Sequence, residues 1–412
     1  MQKVLVIGKT WPEPKTTGAG RRMLQICKTL TAKYHVHFAS AAQKSAYSTT
    51  FEGLPVETHS VFINDDGFDQ FLEEIQPDIV VFDRFHTEEQ FGWRVAERLP
   101  NALLILNMED FHGLRAMRDK RLINGELENE QGRLIASDQI NETVLREISS
   151  IYRCDRTWVI SRKEMDVLDS LGVSKDLLHY LPFHVADFYH ESGFLSGFSD
   201  RKNLIFFGNF LHAPNADAIT RLCAIWPEIL AQIPHSELHI YGAYGESIKA
   251  LQNLPEGIVF KGWVDNIAAV LTHYKILLAP LRFGAGIKTK IVESIGCGLP
   301  VISTPIGWEG ICDNDEDLPG FSCIDNRELI AAVLSLYQSR SSWEKAQEQA
   351  AIWMPQNANH WESNLLKQLN QDFEEMTSRR ANNIIGRILQ WNSHKTYKYL
   401  SKYIMAKNSK TD

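Results

Sequence analysis

Short apolar runs separated by longer stretches of helical periodicity recur in two series along this chain, and no other feature restricts its fold so strongly. The first series lies at 4–8, 36–40, 79–83, 103–107 and 157–161, the second at 204–208, 237–241, 258–260, 276–280 and 301–304. Strands that are apolar throughout must be covered on both faces, so each series implies βα units around a parallel sheet with helices on either side. The stretch 186–203, with three Ser, two Gly and mixed charge, reads as the linker between the series. At 412 residues the chain exceeds one ordinary core and suits two. The expected organisation is a first α/β lobe over 1–190 carrying a helical insertion at about 110–150, a second doubly wound lobe over 200–370, and a helical tail over 371–412.

Composition narrows the partners. Asp and Glu number 51 against 43 for Lys and Arg, a mildly acidic balance with no overall attraction for nucleic acid. The six cysteines, Cys27, Cys154, Cys223, Cys297, Cys312 and Cys323, form no C-x-x-C pair and lack a His at zinc-ligand spacing, so no metal is expected and a reducing cytoplasmic compartment fits. No run approaches the roughly 18 apolar residues of a membrane span, and the opening run is too short for a signal-peptide core. The tail is different: between 379 and 410 there are eight Lys or Arg and no acid, while Ile384, Ile385, Ile388, Leu389, Tyr397, Leu400 and Ile404 recur at helical spacing. Such a basic amphipathic helix either packs across the lobes with a solvated basic face or touches an anionic membrane surface from the cytoplasmic side.

The segment 279–307 carries the most chemistry. A strand ends at Pro280, a loop with Gly284, Ala285, Gly286 and Ile287 follows, and a helix is expected from near Lys288 to Gly296 or Gly298. Glycines let backbone approach a ligand, and the first N–H groups of a helix seat phosphate. Lys288 adds a full positive charge where a diphosphate leaving group would gather negative charge, with no metal needed. Glu293, one and a half turns on, can accept hydrogen bonds from two vicinal hydroxyls such as those of a ribose. A glycine loop between strand and helix is common in α/β folds and a helix-surface Glu is usually solvated, so the loop alone does not establish a site.

The complete segment closely resembles the donor-site signature of glycosyltransferase group 1, the large retaining family numbered four, which has the GT-B architecture of two Rossmann-like lobes facing a cleft. Residues 207–219, 238–242, 260–265 and 277–281 follow in that family's order, so the resemblance spans most of the second lobe. It implies that Glu293 binds the ribose, that Lys288 contacts the diphosphate, that Gly262, Trp263 and Val264 flank the base, and that Gly208 opens the donor side. Two departures stand out. Relatives often carry a second Glu eight residues before the first, where this chain has Ala285, leaving the backbone N–H groups of Ala285, Gly286 and Ile287 to hold the sugar. Relatives also place an Arg and a Lys after the second lobe's first strand, and Gly208 here is followed by Asn209 and Phe210, which shifts that burden to Lys288.

In the first lobe, Gly8 ends the opening strand and a long loop leads to Gly18 and Gly20 at the start of a helix. The ten-residue gap is wrong for a dinucleotide fingerprint but matches the glycine loop of group 1 transferases. Glu109, Asp110 and His112 follow the fourth strand, where they either orient and deprotonate an acceptor hydroxyl or cap the next helix. His86 ends another strand and Glu309 lies in a second-lobe loop; both are weaker candidates. The implied activity is transfer of a sugar from a nucleotide diphosphate sugar, the co-substrate, to a hydroxyl acceptor, with no cofactor. The alternatives are a sugar-nucleotide epimerase on the same scaffold and a non-catalytic GT-B partner protein.

Overall fold

The computed structural model describes residues 1–49, 51–125, 140–312, 314–358 and 361–408. Seven parallel strands form the first sheet: β1 (Lys3–Gly8), β2 (His35–Ser40), β3 (Val56–Ser60), β4 (Ile79–Asp83), β5 (Leu103–Glu109), β6 (Arg156–Val159) and β7 (Leu178–Tyr180), in the order β3-β2-β1-β4-β5-β6-β7. Six form the second: β8 (Lys202–Phe207), β9 (Leu238–Tyr241), β10 (Ile258–Gly262), β11 (Tyr274–Ala279), β12 (Val301–Ser303) and β13 (Gly320–Ser322), in the order β10-β9-β8-β11-β12-β13. All registers are parallel, and in each sheet the order reverses beside the first strand, at β1/β4 and β8/β11. Ligands of open α/β sheets sit outside the carboxyl ends of strands at such reversals, and here the two reversals face one another.

The ten strands expected from apolar runs are present, and β3, β7 and β13 join them. β3 and β7 close the two ends of the first sheet and β13 one end of the second. No residue of β3 is fully buried, and β7 and β13 are three residues each, so neither apolarity nor length marked them. The central strands behave as their composition requires: every residue of β4, β5 and β11 is buried. Apolar side chains on the two faces of the first sheet form separate cores, one with Leu5, Ile7 and Phe82, the other with Val4, Val6 and Phe38. The second lobe has a core around Phe206, Trp226, Leu278 and Trp343.

Of the helical insertion expected at about 110–150, helices His112–Ile123 and Glu142–Arg153 are present, and 126–139 lies outside the described residues. The linker is strapped to the second lobe: Arg201, 1% exposed, donates to the carbonyls of Cys297 (2.8 Å) and Tyr274 (3.2 Å). Residues 361–370, grouped with the second lobe by sequence, share a core with the first, where Trp361, Leu365 and Leu369 pack under β1 and β2. Helix Trp361–Asn382 is anchored there by Asp372, fully buried, which accepts from Arg156 at 2.8 and 2.6 Å.

Helix Ile384–Asn408 then packs on helices Arg84–Arg98 and Glu142–Arg153 of the first lobe, and therefore does not cross both lobes. Its packed side is small and polar: Gly386 and Ser401 are buried, Gln390 donates to the Arg153 carbonyl and Tyr397 to Glu89. Most of the apolar stripe, including Ile384, Ile385, Ile388 and Leu400, faces solvent instead. Among the described residues no helix is long and apolar enough to cross a membrane.

Candidate functional site

Between the lobes lies a cavity of about 560 Å³, lined from the first lobe by the Lys9–Arg21 loop, Arg84 and the Glu109–Arg115 turn, and from the second by Gly208, Tyr244, Trp263 and the 283–290 loop with Glu293. The sequence-expected residues Gly18, Gly20, Gly208, Trp263, Val264, Gly284, Ala285, Gly286, Ile287, Lys288, Glu293, Glu109, Asp110 and His112 all reach it. Gly262 lies behind, where its carbonyl accepts from the Gly242 N–H at 2.9 Å.

The donor-side loop is held from both directions. Gly286 adopts φ 64°, and a Cβ there would stand 2.9 Å from the Cβ of Asp110, so only glycine lets the two lobes meet at this point. Its N–H donates to Glu164 at 2.7 Å and is spent on that contact, leaving it unavailable to a sugar. Glu164 is 2% exposed and also accepts from Phe111 N–H at 2.9 Å, so one carboxylate ties β5's loop to the glycine loop. Burial pushes its carboxyl up to about 7, against the two backbone donors. Glu164 lay outside the expected set because nothing near it in sequence marks the role.

Lys288 caps the helix Thr289–Gly296 and is 8% exposed. Its ammonium donates to the Gly286 carbonyl at 2.9 Å and lies 3.6 Å from Glu309, while burial, opposed by Glu309, lowers its pKa. Glu309 is engaged across the cleft by Arg118 at 2.6 and 2.8 Å, and Arg118 also donates to the Gly284 carbonyl at 2.7 Å. Burial would raise Glu309, but Lys288 and Arg118 outweigh it and hold the carboxyl below its ordinary value. Glu309 therefore works as part of a latch between lobes.

A second lysine, unremarked in the sequence, is better aimed. Lys290 Nζ donates to Asn215 Oδ1 at 2.5 Å, sits 4.3 Å above the Phe206 ring, and would lie 3.1 Å from a Cβ on Gly208. It thus occupies the position after β8 where a cation was missing. Burial lowers its pKa to about 7 despite the nearby Glu293. Its signal was its place in the first turn of the same helix, two residues after Lys288.

Glu293 meets Arg21 of the first lobe at 2.5 Å; its side chain is 12% exposed and that of Arg21 28%. Burial raises Glu293 while Arg21 lowers it, and the rise prevails. Arg21 follows Gly18 and Gly20 directly, and Gly18 abuts Thr289 so closely that a Cβ would come within 2.3 Å of its hydroxyl. Gly18 thus serves lobe apposition, whereas Gly20 lets the Glu13 backbone of its own loop pack against the helix start.

On the first-lobe side, Glu109 at φ 59° accepts from Asn107 at 2.8 Å and faces the buried Arg22 at 3.5 Å, at the edge of the cavity wall. Asp110 pairs with Arg115. His112 Nδ1 lies 2.9 Å from the Asp110 carbonyl and 3.2 Å from Glu147. None of these residues caps the following helix: Glu147, from helix Glu142–Arg153, accepts the His112 and Gly113 N–H groups at 3.0 and 2.6 Å. Lys9, Arg84 and Arg115 line the same part of the cavity, and burial followed by Arg84 lowers Lys9 to about 8. His86 is held neutral, at about 3, by burial and by Lys9, and meets His112 edge-on at 5.4 Å from outside the cavity.

Residues 201–339 match the family model described as glycosyl transferases group 1. No curated protein matches the chain by sequence. Among solved structures, the chain is similar to sucrose-phosphate synthase (tll1590) from Thermosynechococcus elongatus, with TM-score 0.67 and 16% identity over 92% of this chain and 100% of that one. It is similar to Anabaena Alr3699/HepE in complex with UDP and glucose, with TM-score 0.65 and 14% identity over 90% of this chain and 100% of that one. A third similar structure is a putative UDP-N-acetylglucosamine 2-epimerase from Listeria monocytogenes, with TM-score 0.56 and 14% identity over 91% of this chain and 97% of that one. At these identities the likeness is one of fold.

Proposed function

With a group 1 glycosyltransferase domain over 201–339 and the two-lobed GT-B architecture as premises, we propose that the chain transfers a glycosyl unit from a nucleoside diphosphate sugar to a hydroxyl acceptor, with retention at the anomeric carbon and without a metal ion. The observation that carries this reading is the convergence of Glu293, Lys290 and the helix terminus at Thr289 on one cavity with Asp110 and His112 of the opposite lobe. Glu293 accepts the ribose hydroxyls, displacing Arg21. The base lies by Gly262, Trp263 and Val264. The diphosphate lies between Gly208 and the start of the helix, where Lys290 and the first-turn N–H groups meet the charge that develops as the glycosidic bond breaks. Lys288 reaches that charge indirectly, by fixing the Gly286 carbonyl.

Asp110 and His112 orient the acceptor hydroxyl on the far side of the sugar, and the His112 imidazole is the group placed to receive its proton. Lys9, Arg84 and Arg115 supply positive charge beside it and favour an acceptor whose hydroxyl sits near an anionic group. The test is a panel of nucleotide sugars, beginning with UDP-glucose, with release of nucleoside diphosphate measured with and without candidate acceptors. Acceptor-dependent release with a glycosylated product supports transfer; an epimer formed from the donor alone would assign the chain to the epimerase reading.

The work site is the inner surface of an anionic membrane, reached through helix Ile384–Asn408. Its solvent face presents Ile384, Ile388, Trp391, Tyr399, Leu400 and Tyr403, each more than half exposed, with Arg387, Lys395 and Lys402 exposed among them. Aromatic and aliphatic groups interleaved with cations suit the headgroup region. Co-sedimentation with phosphatidylglycerol vesicles, lost in Trp391→Ala/Tyr403→Ala and absent with phosphatidylcholine alone, is the expected result; equal pelleting of the variant removes this placement.

A further inference from the structure

The far edge of the first sheet, away from the cleft, carries a second constellation. In parallel register β2 and β3 set His37 opposite Glu57 and Ala39 opposite His59. Side chains two apart on a strand share a face, so His35, His37, Glu57 and His59 project to one side of the sheet, while Val36 and Phe38 enter the core on the other. Three side chains converge there: His35 Nε2 lies 2.7 Å from Glu57 Oε1, and His37 Nδ1 lies 3.6 Å from Glu57 Oε2. One atom from each of these three residues falls within 4.8 Å of the other two.

We propose that His35, His37 and Glu57 form a binding site for a divalent transition-metal ion of the zinc class, held by two imidazole nitrogens and one carboxylate. Ligand atoms around a tetrahedral zinc with bonds of 2.0–2.2 Å stand roughly 3.4 Å apart, which falls between the 2.7 and 3.6 Å of the two His–Glu57 contacts. Two His and one Glu leave a coordination position open, and soft-to-borderline nitrogen donors select zinc, cobalt or nickel over magnesium. The framework is rigid where it must be: His37 is 3% exposed, and its Nε2 is buried without a hydrogen-bond partner. His59 Nε2 lies 3.1 Å from His37 Nδ1, a contact that Nδ1 exchanges for the ion on binding, and the Phe71 ring packs at a tilt against His59, 4.7 Å away. The entry side is open, with the His35 and Glu57 side chains 40% and 55% exposed. The neighbouring cation Lys3 is turned away, donating to the Ile75 carbonyl at 2.8 Å. An ion here would staple β3 to β2, its one strand partner among the described residues.

The test uses the untagged full-length chain after chelator treatment. Zinc titrated calorimetrically should bind at one equivalent, and cobalt should give the visible bands of a four-coordinate nitrogen/oxygen site. His35→Ala, at a half-buried position, and Glu57→Gln, at an exposed one, should each weaken binding at least about tenfold. His37→Phe, which keeps the buried volume, should abolish it, and His273→Ala, at an exposed position elsewhere, should leave it unchanged. Zinc should also raise Tm in the parent and not in His37→Phe. Affinity unchanged in His35→Ala and Glu57→Gln, or no binding by the parent, overturns the site. Glycosyl transfer by His35→Ala is expected at the parental rate, so failure here and failure of the transferase reading register in separate assays.

Discussion

Replacing Glu293 by Ala probes the donor site most directly. In the free protein its carboxylate is paired with Arg21, whose side chain is 28% exposed. The pair is mostly buried, and the cost of taking the Glu293 carboxylate out of water offsets most of its attraction to Arg21, leaving a small net contribution, about 1 kcal/mol. Two ribose hydroxyls donating to the same carboxylate contribute about 1.5–3 kcal/mol each. Exchange of Arg21 for the ribose is therefore favourable, and after desolvation the loss in Glu293→Ala should be about 3 kcal/mol, roughly 150-fold in kcat/KM. The ribose is remote from the breaking bond and is held alike in ground and transition states, so the loss should fall on donor KM with kcat nearly kept. Arg21→Ala, which removes the competitor, should leave donor KM unchanged or slightly lower. Initial rates across donor concentration at saturating acceptor, with circular dichroism confirming the fold, measure both. A Glu293→Ala enzyme within about fivefold of the parent, or one whose loss lies wholly in kcat, would refute the assignment.

Three further outcomes are expected. Lys290, with its pKa lowered to about 7, carries its charge below that pH and loses it above, so kcat/KM for donor should fall about tenfold per pH unit above 7. Lys290→Arg, permanently charged, should flatten that limb, and Lys290→Ala should lower kcat as well as kcat/KM; a pH profile of the three enzymes decides. Gly286→Ala forces a side chain into a left-handed backbone and against Asp110, costing about 1–2 kcal/mol of stability by denaturant titration and reducing kcat/KM at least about tenfold through imperfect lobe closure. Asp372→Ala strands the buried Arg156 guanidinium and should destabilise the chain by about 3–5 kcal/mol in urea unfolding, with donor affinity retained in the fraction that remains folded.

The donor loop was legible because its requirements are local. A strand end, glycines and a helix start occupy consecutive residues, so 284–293 stood out as a local pattern, and its resemblance to the group 1 signature supplied the expected roles. The first-lobe cluster was legible only as an alternative between catalysis and helix capping. Capping was decided by Glu147, 35 residues from His112, a partner that neither periodicity nor spacing announces. Lys290, Glu164 and Arg21 escaped notice for the same reason: each acts on a residue distant in sequence, on Asn215, Gly286 and Glu293 respectively.

The tail shows the division most sharply. Its helical period and its excess of basic residues are properties of the chain, but which side of the helix is buried depends on what it meets. Helices Arg84–Arg98 and Glu142–Arg153 present Arg153, Glu88 and Glu89 to it, so Gln390, His394 and Tyr397 turn inward and satisfy those buried polar groups. The apolar residues are then left outside. By itself the sequence determined two parallel-sheet lobes, because fully apolar strands admit few other burials, and a phosphate-suited loop, because glycine and helix-start chemistry are local. Tertiary structure alone decided which charges face one another across the cleft and which face of the last helix is free, since both depend on contacts between residues hundreds of positions apart.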